Sequence, residues 1–191
     1  MKKIIFVLIL ILTISGVLLG ILLNTHSSKS AQKDRFVWQP VKEGEIHRQP
    51  VKEGADRNNP STAADYFDSC LTADDNNVPL YPNTYGGCYM GKNKTFVIQV
   101  TSSDLSEYQF IQDEFPCVVF EQVKYSYNYL QNLIYEYRNT YDPDSETIYM
   151  TCVDIHLNRA VIGIDEESLS HKTNDPDSPI VFELGHYVQL C

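Results

Sequence analysis

A chain of 191 residues has room for one ordinary core plus flanking segments. Its formal charge of -10, from 25 acidic against 15 basic residues, repels phosphate backbones and anionic headgroups, which argues against nucleic-acid binding and against peripheral attachment to anionic lipid. The five cysteines, Cys70, Cys88, Cys117, Cys152 and Cys191, include no C-x-x-C and no Cys/His pair at ligand spacing, which argues against a zinc site; two disulfides with one leftover thiol and five reduced, buried thiols both fit their scatter.

Residues 1–3 form a basic cytoplasmic flank, and residues 4–23 an apolar run broken only by Thr13, Ser15, Gly16 and Gly20. A helix of that length reaches ~30 Å, the thickness of a bilayer's hydrocarbon core. Cleaved signal peptides have a shorter apolar core, and only Ser28-Lys29-Ser30 before Ala31 resembles a cleavage site, so the sequence predicts a retained transmembrane anchor in preference to a cleaved signal. Either reading places the rest of the chain outside the cytoplasm, with Lys2 and Lys3 inside.

Residues 24–60 are polar and without apolar periodicity, the pattern of a disordered linker. Within them Gln39-Pro40-Val41-Lys42-Glu43-Gly44 recurs as Gln49-Pro50-Val51-Lys52-Glu53-Gly54. Two copies of so short a unit cannot stack a core, so the repeat reads as a duplicated spacer, with a recognised peptide as the alternative.

Residues 61–191 carry the domain. A short helix is predicted over Ser61–Leu71, capped by Ser61 or Thr62, with Ala64, Phe67 and Leu71 on one face. Tyr85–Met90 and Thr95–Thr101 flank the turn tetrad Gly91-Lys92-Asn93-Lys94 as a hairpin, and alternation of Phe96, Ile98 and Val100 gives the second strand one core face. Asp104 with Glu107 resembles a capping arrangement for a helix ending at Pro116, and Cys117–Val123 suits a buried strand. Ser126 caps a longer helix, whose stripe of Tyr127, Leu130, Leu133, Ile134, Tyr137 and Tyr141 ends at Asp142-Pro143. A second hairpin, Thr147–His156 with Ala160–Asp165, a polar loop, and a last strand Ile180–Leu184 complete the chain. The expected fold class is α+β: an antiparallel or mixed sheet of about six strands in the order β-β-α-β-α-β-β-β, with helices packed on one face, plus the N-terminal transmembrane helix.

No catalytic, cofactor-binding or metal signature stands out. Period-two geometry puts Cys152, Asp154 and His156 on one strand face, yet positions i and i+4 on a strand lie ~13 Å apart, too far for a nucleophile and its base. Asp154 and Asn158 read as hairpin residues that satisfy turn amides. The other histidines, His26, His47, His171 and His186, begin no metal motif, and Tyr85-Gly86-Gly87-Cys88 is a bulge or close approach, not a phosphate loop. Asp165, Glu166, Glu167, Asp175 and Asp177 lack calcium-loop spacing and read as a solvated loop.

Tyr81-Pro82 with Tyr85-Gly86-Gly87, the strand Phe96–Thr101, Val123-Lys124-Tyr125-Ser126-Tyr127, Asp154-x-x-x-Asn158-Arg159-x-Val161 and Asp177-Ser178-Pro179-Ile180-Val181-Phe182 together resemble the propeptide-type domain that precedes bacterial chymotrypsin-like serine proteases, as in the α-lytic protease and streptogrisin precursors. The likeness runs from about Tyr81 to Leu184 and is fold-level, not catalytic. It implies a domain that assists folding of a protease and inhibits it by adding sheet to its surface. With the expectation that no protease follows Cys191, what the resemblance implies here is the binding mode alone, an exposed strand edge pairing with an extracytoplasmic protein partner. The expectation is therefore a non-catalytic, membrane-anchored interaction or accessory module; the alternative is an exported thiol- or metal-dependent enzyme using Cys152 and His156.

Overall fold

The computed structural model describes residues 40–141 and 148–185. The expected flank, anchor and first part of the linker lie outside the described residues, as do Asp142-Pro143 and His186 to Cys191. Among the described residues no helix is long and apolar enough to cross a membrane.

The elements, in chain order, are α1 (Pro60–Cys70), β1 (Thr72–Ala73), β2 (Pro79–Leu80), β3 (Tyr85–Met90), a 3-10 turn (Lys92–Lys94), β4 (Phe96–Val100), α2 (Gln109–Glu114), β5 (Val118–Gln122), α3 (Tyr127–Tyr141), β6 (Ile148–Asp154), β7 (Arg159–Ile164), α4 (Glu166–Ser170) and β8 (Ile180–Leu184). The class is α+β, but the expected single sheet is corrected: the strands form three separate sheets, β1-β2, β3-β4-β5 and β6-β7-β8. Each larger sheet closes over its own helix, so the two cores do not require a shared sheet. Ala63, Tyr66, Phe67 and Cys70 of α1 bury against Phe96, Ile98 and Val100, joined by Tyr108, Ile111, Phe115 and Val118. Leu130 and Ile134 of α3 bury against Ala160, while Tyr137 packs on Ile148, Ile162 and Ile164. At ~1.5–3 kcal/mol for each fully buried large apolar side chain, the first, larger cluster dominates the stability.

Local expectations are adjusted at several ends. Asn59, not Ser61 or Thr62, caps α1 by accepting from the Ser61 amide, because Pro60 at the first helical position moves the start back. The face that α1 buries is Ala63, Tyr66, Phe67 and Cys70; of the expected stripe Phe67 is at its centre, while Ala64 and Leu71 pack at its margin. The Asp104/Glu107 capping box is replaced: Asp104 accepts from Ser106 N in a turn, Glu107 accepts from the Thr84 hydroxyl, and α2 begins only at Gln109. Ser126 does cap α3, accepting from Tyr129 N. Residues 166–170, expected as loop, form α4, capped by Asp165 through Ser168 N and Oγ.

The linker expectation is corrected over residues 40–59, which lie against the domain. Gly44 N donates to Tyr81 O, His47 N to Cys70 O, and Thr72 N to Glu45 O, while Ile46 and Val51 pack on the first core. The two hexapeptide copies do different work. In the first, Val41 N donates to Asn132 Oδ1 on α3; in the second, Gln49 O accepts from the Tyr66 hydroxyl on α1. Arg48 and Arg57 converge on Glu114 of α2 and pin the strap at both ends of that second copy. Such an extended strap uses isolated apolar residues and backbone bonds, which leave no periodicity to read.

The two larger sheets are copies of one module. β3-β4-α2-β5 and β6-β7-α4-β8 each consist of an antiparallel hairpin, a short helix and a third strand parallel to the second. The registers coincide: Phe96 opposes Val118 as Ala160 opposes Ile180, and Ile98 opposes Phe120 as Ile162 opposes Phe182. Even the register shift recurs, between Tyr85 and Gly87 and between Ile148 and Met150. The sequence carries a trace of the same duplication, Val97-Ile98-x-Val100 against Val161-Ile162-x-Ile164 and Val119-Phe120-Glu121 against Val181-Phe182-Glu183. The modules meet through the β6–β7 turn. Asn158, at φ 51, brackets Tyr125 by accepting from its amide at 2.8 Å and donating to its carbonyl at 2.8 Å. Gly87 has φ 136, and a Cβ there would lie 2.6 Å from Ile155 Cδ1, so this close approach requires glycine.

Candidate functional site

The backbone bonds that end each parallel ladder determine which way every strand residue faces. In the first module Phe96 N donates to Cys117 O and Val123 N donates to Val100 O, so Val119 and Glu121 point their main chains at β4 and Val118, Phe120 and Gln122 point theirs outward. In the second, Ala160 N donates to Pro179 O and Gly185 N to Ile164 O, so Ile180, Phe182 and Leu184 face outward. An outward row of unpaired amides and carbonyls is a template for another strand.

The two copies treat that row differently. On β8 the Asn174 carboxamide accepts from Phe182 N and donates to Phe182 O, both at 2.8 Å, imitating a partner strand at the central residue. Ser178 Oγ accepts from Ile180 N. On β5 only the first residue is covered, Val118 N donating to Phe115 O and Val118 O accepting from Gln112 Nε2. The outward amides and carbonyls of Phe120 and Gln122 have no hydrogen-bond partner among the described residues. The neighbouring side chains Val119, Glu121 and Gln122 are exposed.

Above this open edge stands a polar network on the sheet face opposite α1. Glu121 Oε2 accepts from Gln99 Nε2 at 2.9 Å and from the Tyr89 hydroxyl at 3.1 Å. Gln99 is 2 % exposed and its Oε1 is buried without a partner. Burial and the Glu121 hydrogen bond raise the Tyr89 phenol above its ordinary pKa, so the phenol stays a donor. The imidazole of His156 packs edge-on against the Tyr89 ring, with centroids 4.6 Å apart. The network thus holds one carboxylate oxygen of Glu121 with two donors and leaves Oε1 free at the rim of the edge.

The residues singled out from sequence go elsewhere. Cys152 is exposed on β6, and burial, followed by Asp154 and Glu183, pushes its thiol above the ordinary range, away from thiolate chemistry. His156 lies in the β6–β7 turn, because β6 ends at Asp154, so the expected one-face row of Cys152, Asp154 and His156 is not formed. Asp154 Oδ1 accepts from Leu157 N in the turn. Asp165 caps α4 and Asp175 Oδ1 accepts from Asp177 N, so these two loop carboxylates serve local amides; no metal-holding group of His, Cys, Asp or Glu occurs among the described residues. Cys70, Cys88, Cys117 and Cys152 are free, and Cys191 lies outside the described residues. Sequence reading missed Tyr89, Gln99 and Glu121. Their one signal was a glutamine inside an otherwise apolar strand, since a buried amide needs a partner from another strand.

Comparison with known proteins finds no matching family model, no matching curated protein and no matching solved structure.

Proposed function

We propose that this chain is a non-catalytic interaction module, held at the outer face of a membrane by residues 4–23, that binds an extracytoplasmic protein by accepting one of its strands along β5. The observation that carries this reading is the contrast within one molecule: the same module occurs twice, with the central outward residue Phe182 and the Ile180 amide of β8 held by Asn174 and Ser178, while the central and last outward residues of β5, Phe120 and Gln122, have no such partner among the described residues. Proteins block edges they do not use, because a bare edge invites aggregation. The resemblance to protease propeptide domains supports the same mode, in which main-chain bonds supply affinity and alternate side chains supply choice. Cys152 on β6 and His156, packed on Tyr89 in the turn beyond that strand, each stand apart from any metal-holding group among the described residues, which favours the interaction reading over the enzyme alternative.

A photo-reactive residue tests it in the cells that make the protein. Placed at Val119 it is expected to yield cross-linked partner adducts that disappear when Gln122→Pro is added, whereas the same residue at Leu184 of β8 yields none. Adducts of equal yield from both positions, or adducts from Val119 that survive the proline, would sink the edge reading. Protease added to intact cells is expected to digest the domain; protection by an intact cytoplasmic membrane would refute the outward placement.

A further inference from the structure

We infer that the strand accepted by β5 carries a cationic side chain, lysine or arginine, two residues from an apolar one on the same face, and that Glu121 selects it. This rests on the reading of β5 as the binding edge. Side chains on one face of a paired strand meet those of its neighbour directly or diagonally, so an incoming strand sets two successive same-face residues against Val119 and Glu121. Val119 is 43 % exposed and offers an apolar contact. Glu121 offers a carboxylate whose orientation is already set: Gln99 Nε2 and the Tyr89 hydroxyl both bind Oε2, and Oε1 has no partner among the described residues. Gln99 is itself held in a buried position on the central strand, and Tyr89 is braced by the His156 ring, so the acid is a fixed anion and not a freely rotating surface side chain. Pre-ordering removes part of the rotamer entropy that makes exposed ion pairs weak. The chain as a whole is acidic, at -10, so long-range attraction acts in the same direction for a cationic segment and against an anionic one.

The test uses the full-length protein in detergent and two fluorescein-labelled peptides, Thr-Val-Thr-Val-Thr-Lys-Thr-Thr and the same peptide with Glu in place of Lys, read by anisotropy and by hydrogen exchange across residues 118–122. The lysine peptide is expected to bind about fivefold more tightly at low salt, a gap that reflects one favourable and one unfavourable cross-strand charge pair. It should slow exchange of the Phe120 and Gln122 amides. Glu121→Lys reverses the preference, Tyr89→Phe narrows it by loosening the carboxylate, and ~0.5 M salt shrinks it by screening. If both peptides protect the edge equally, and Glu121→Lys changes nothing, the charge selection is overturned while the edge reading stands. If neither peptide alters exchange at Phe120 or Gln122, both are overturned.

Discussion

Proline at Val119 and at Gln122 should have opposite consequences, although both side chains are exposed and both residues lie on the same short strand. The Val119 amide faces β4 and donates to the carbonyl of Phe96, a residue 1 % exposed. Proline there deletes the donor and leaves a buried acceptor without a partner, at a cost of about 1–3 kcal/mol, with ring crowding against β4 adding to it. The Gln122 amide faces outward and has no partner among the described residues, so proline removes nothing the fold uses, and an extended Glu121 is compatible with a following proline. The expected change is within about 0.5 kcal/mol. At roughly 2–4 °C per kcal/mol, the full-length protein in detergent should lose about 2–12 °C in Tm with Val119→Pro and about 2 °C or less with Gln122→Pro. Val119→Ala controls for the lost side chain and should resemble wild type in circular-dichroism melts. Equal losses from the two prolines would mean that Gln122 is tied into the ladder, and the open edge would not exist.

Asn174→Ala should uncover the β8 edge: Phe182 N and O lose their stand-in partner, stability falls by about 0.5–1.5 kcal/mol, and sedimentation should reveal more concentration-dependent self-association than wild type at equal concentration. Hydrogen bonds from Arg48 and Arg57 hold the Glu114 carboxyl below the ordinary carboxylate range. Its contribution is therefore present above that range and is lost as pH falls through the lowered value, so hydrogen exchange in residues 48–57 should quicken only below about pH 4. Glu114→Gln should give trypsin faster access to Arg48, Lys52 and Arg57 at neutral pH. Gly44→Ala sets a Cβ into the Leu80 carbonyl and should cost about 1–3 kcal/mol, whereas Gly54→Ala, at φ 78 with open space around it, should cost about 1–2 kcal/mol from backbone strain alone; a thermal melt in which Gly44→Ala is indistinguishable from wild type would contradict the docking of the first hexapeptide.

What the sequence by itself determined was whatever depends on neighbours along the chain. The alternation of Phe96, Ile98 and Val100, the stripe of Leu130 and Ile134, the Ser126 cap and the last strand Ile180–Leu184 are patterns that burial imposes on one strand or one helix, so they survive in the order of residues. The two cores required more. Nothing local states that β5 pairs with β4 while β8 pairs with β7, or that Ile46 and Val51 of an aperiodic strap lie on α1 and its neighbours. The site is of the same kind: Tyr89, Gln99 and Glu121 stand on three strands, and whether an outward amide is open or capped depends on a side chain such as Asn174 arriving from eight residues away. Only the tertiary structure decided these, because hydrogen-bond partners and strand edges are set by distances between segments, which periodicity along a single segment does not encode.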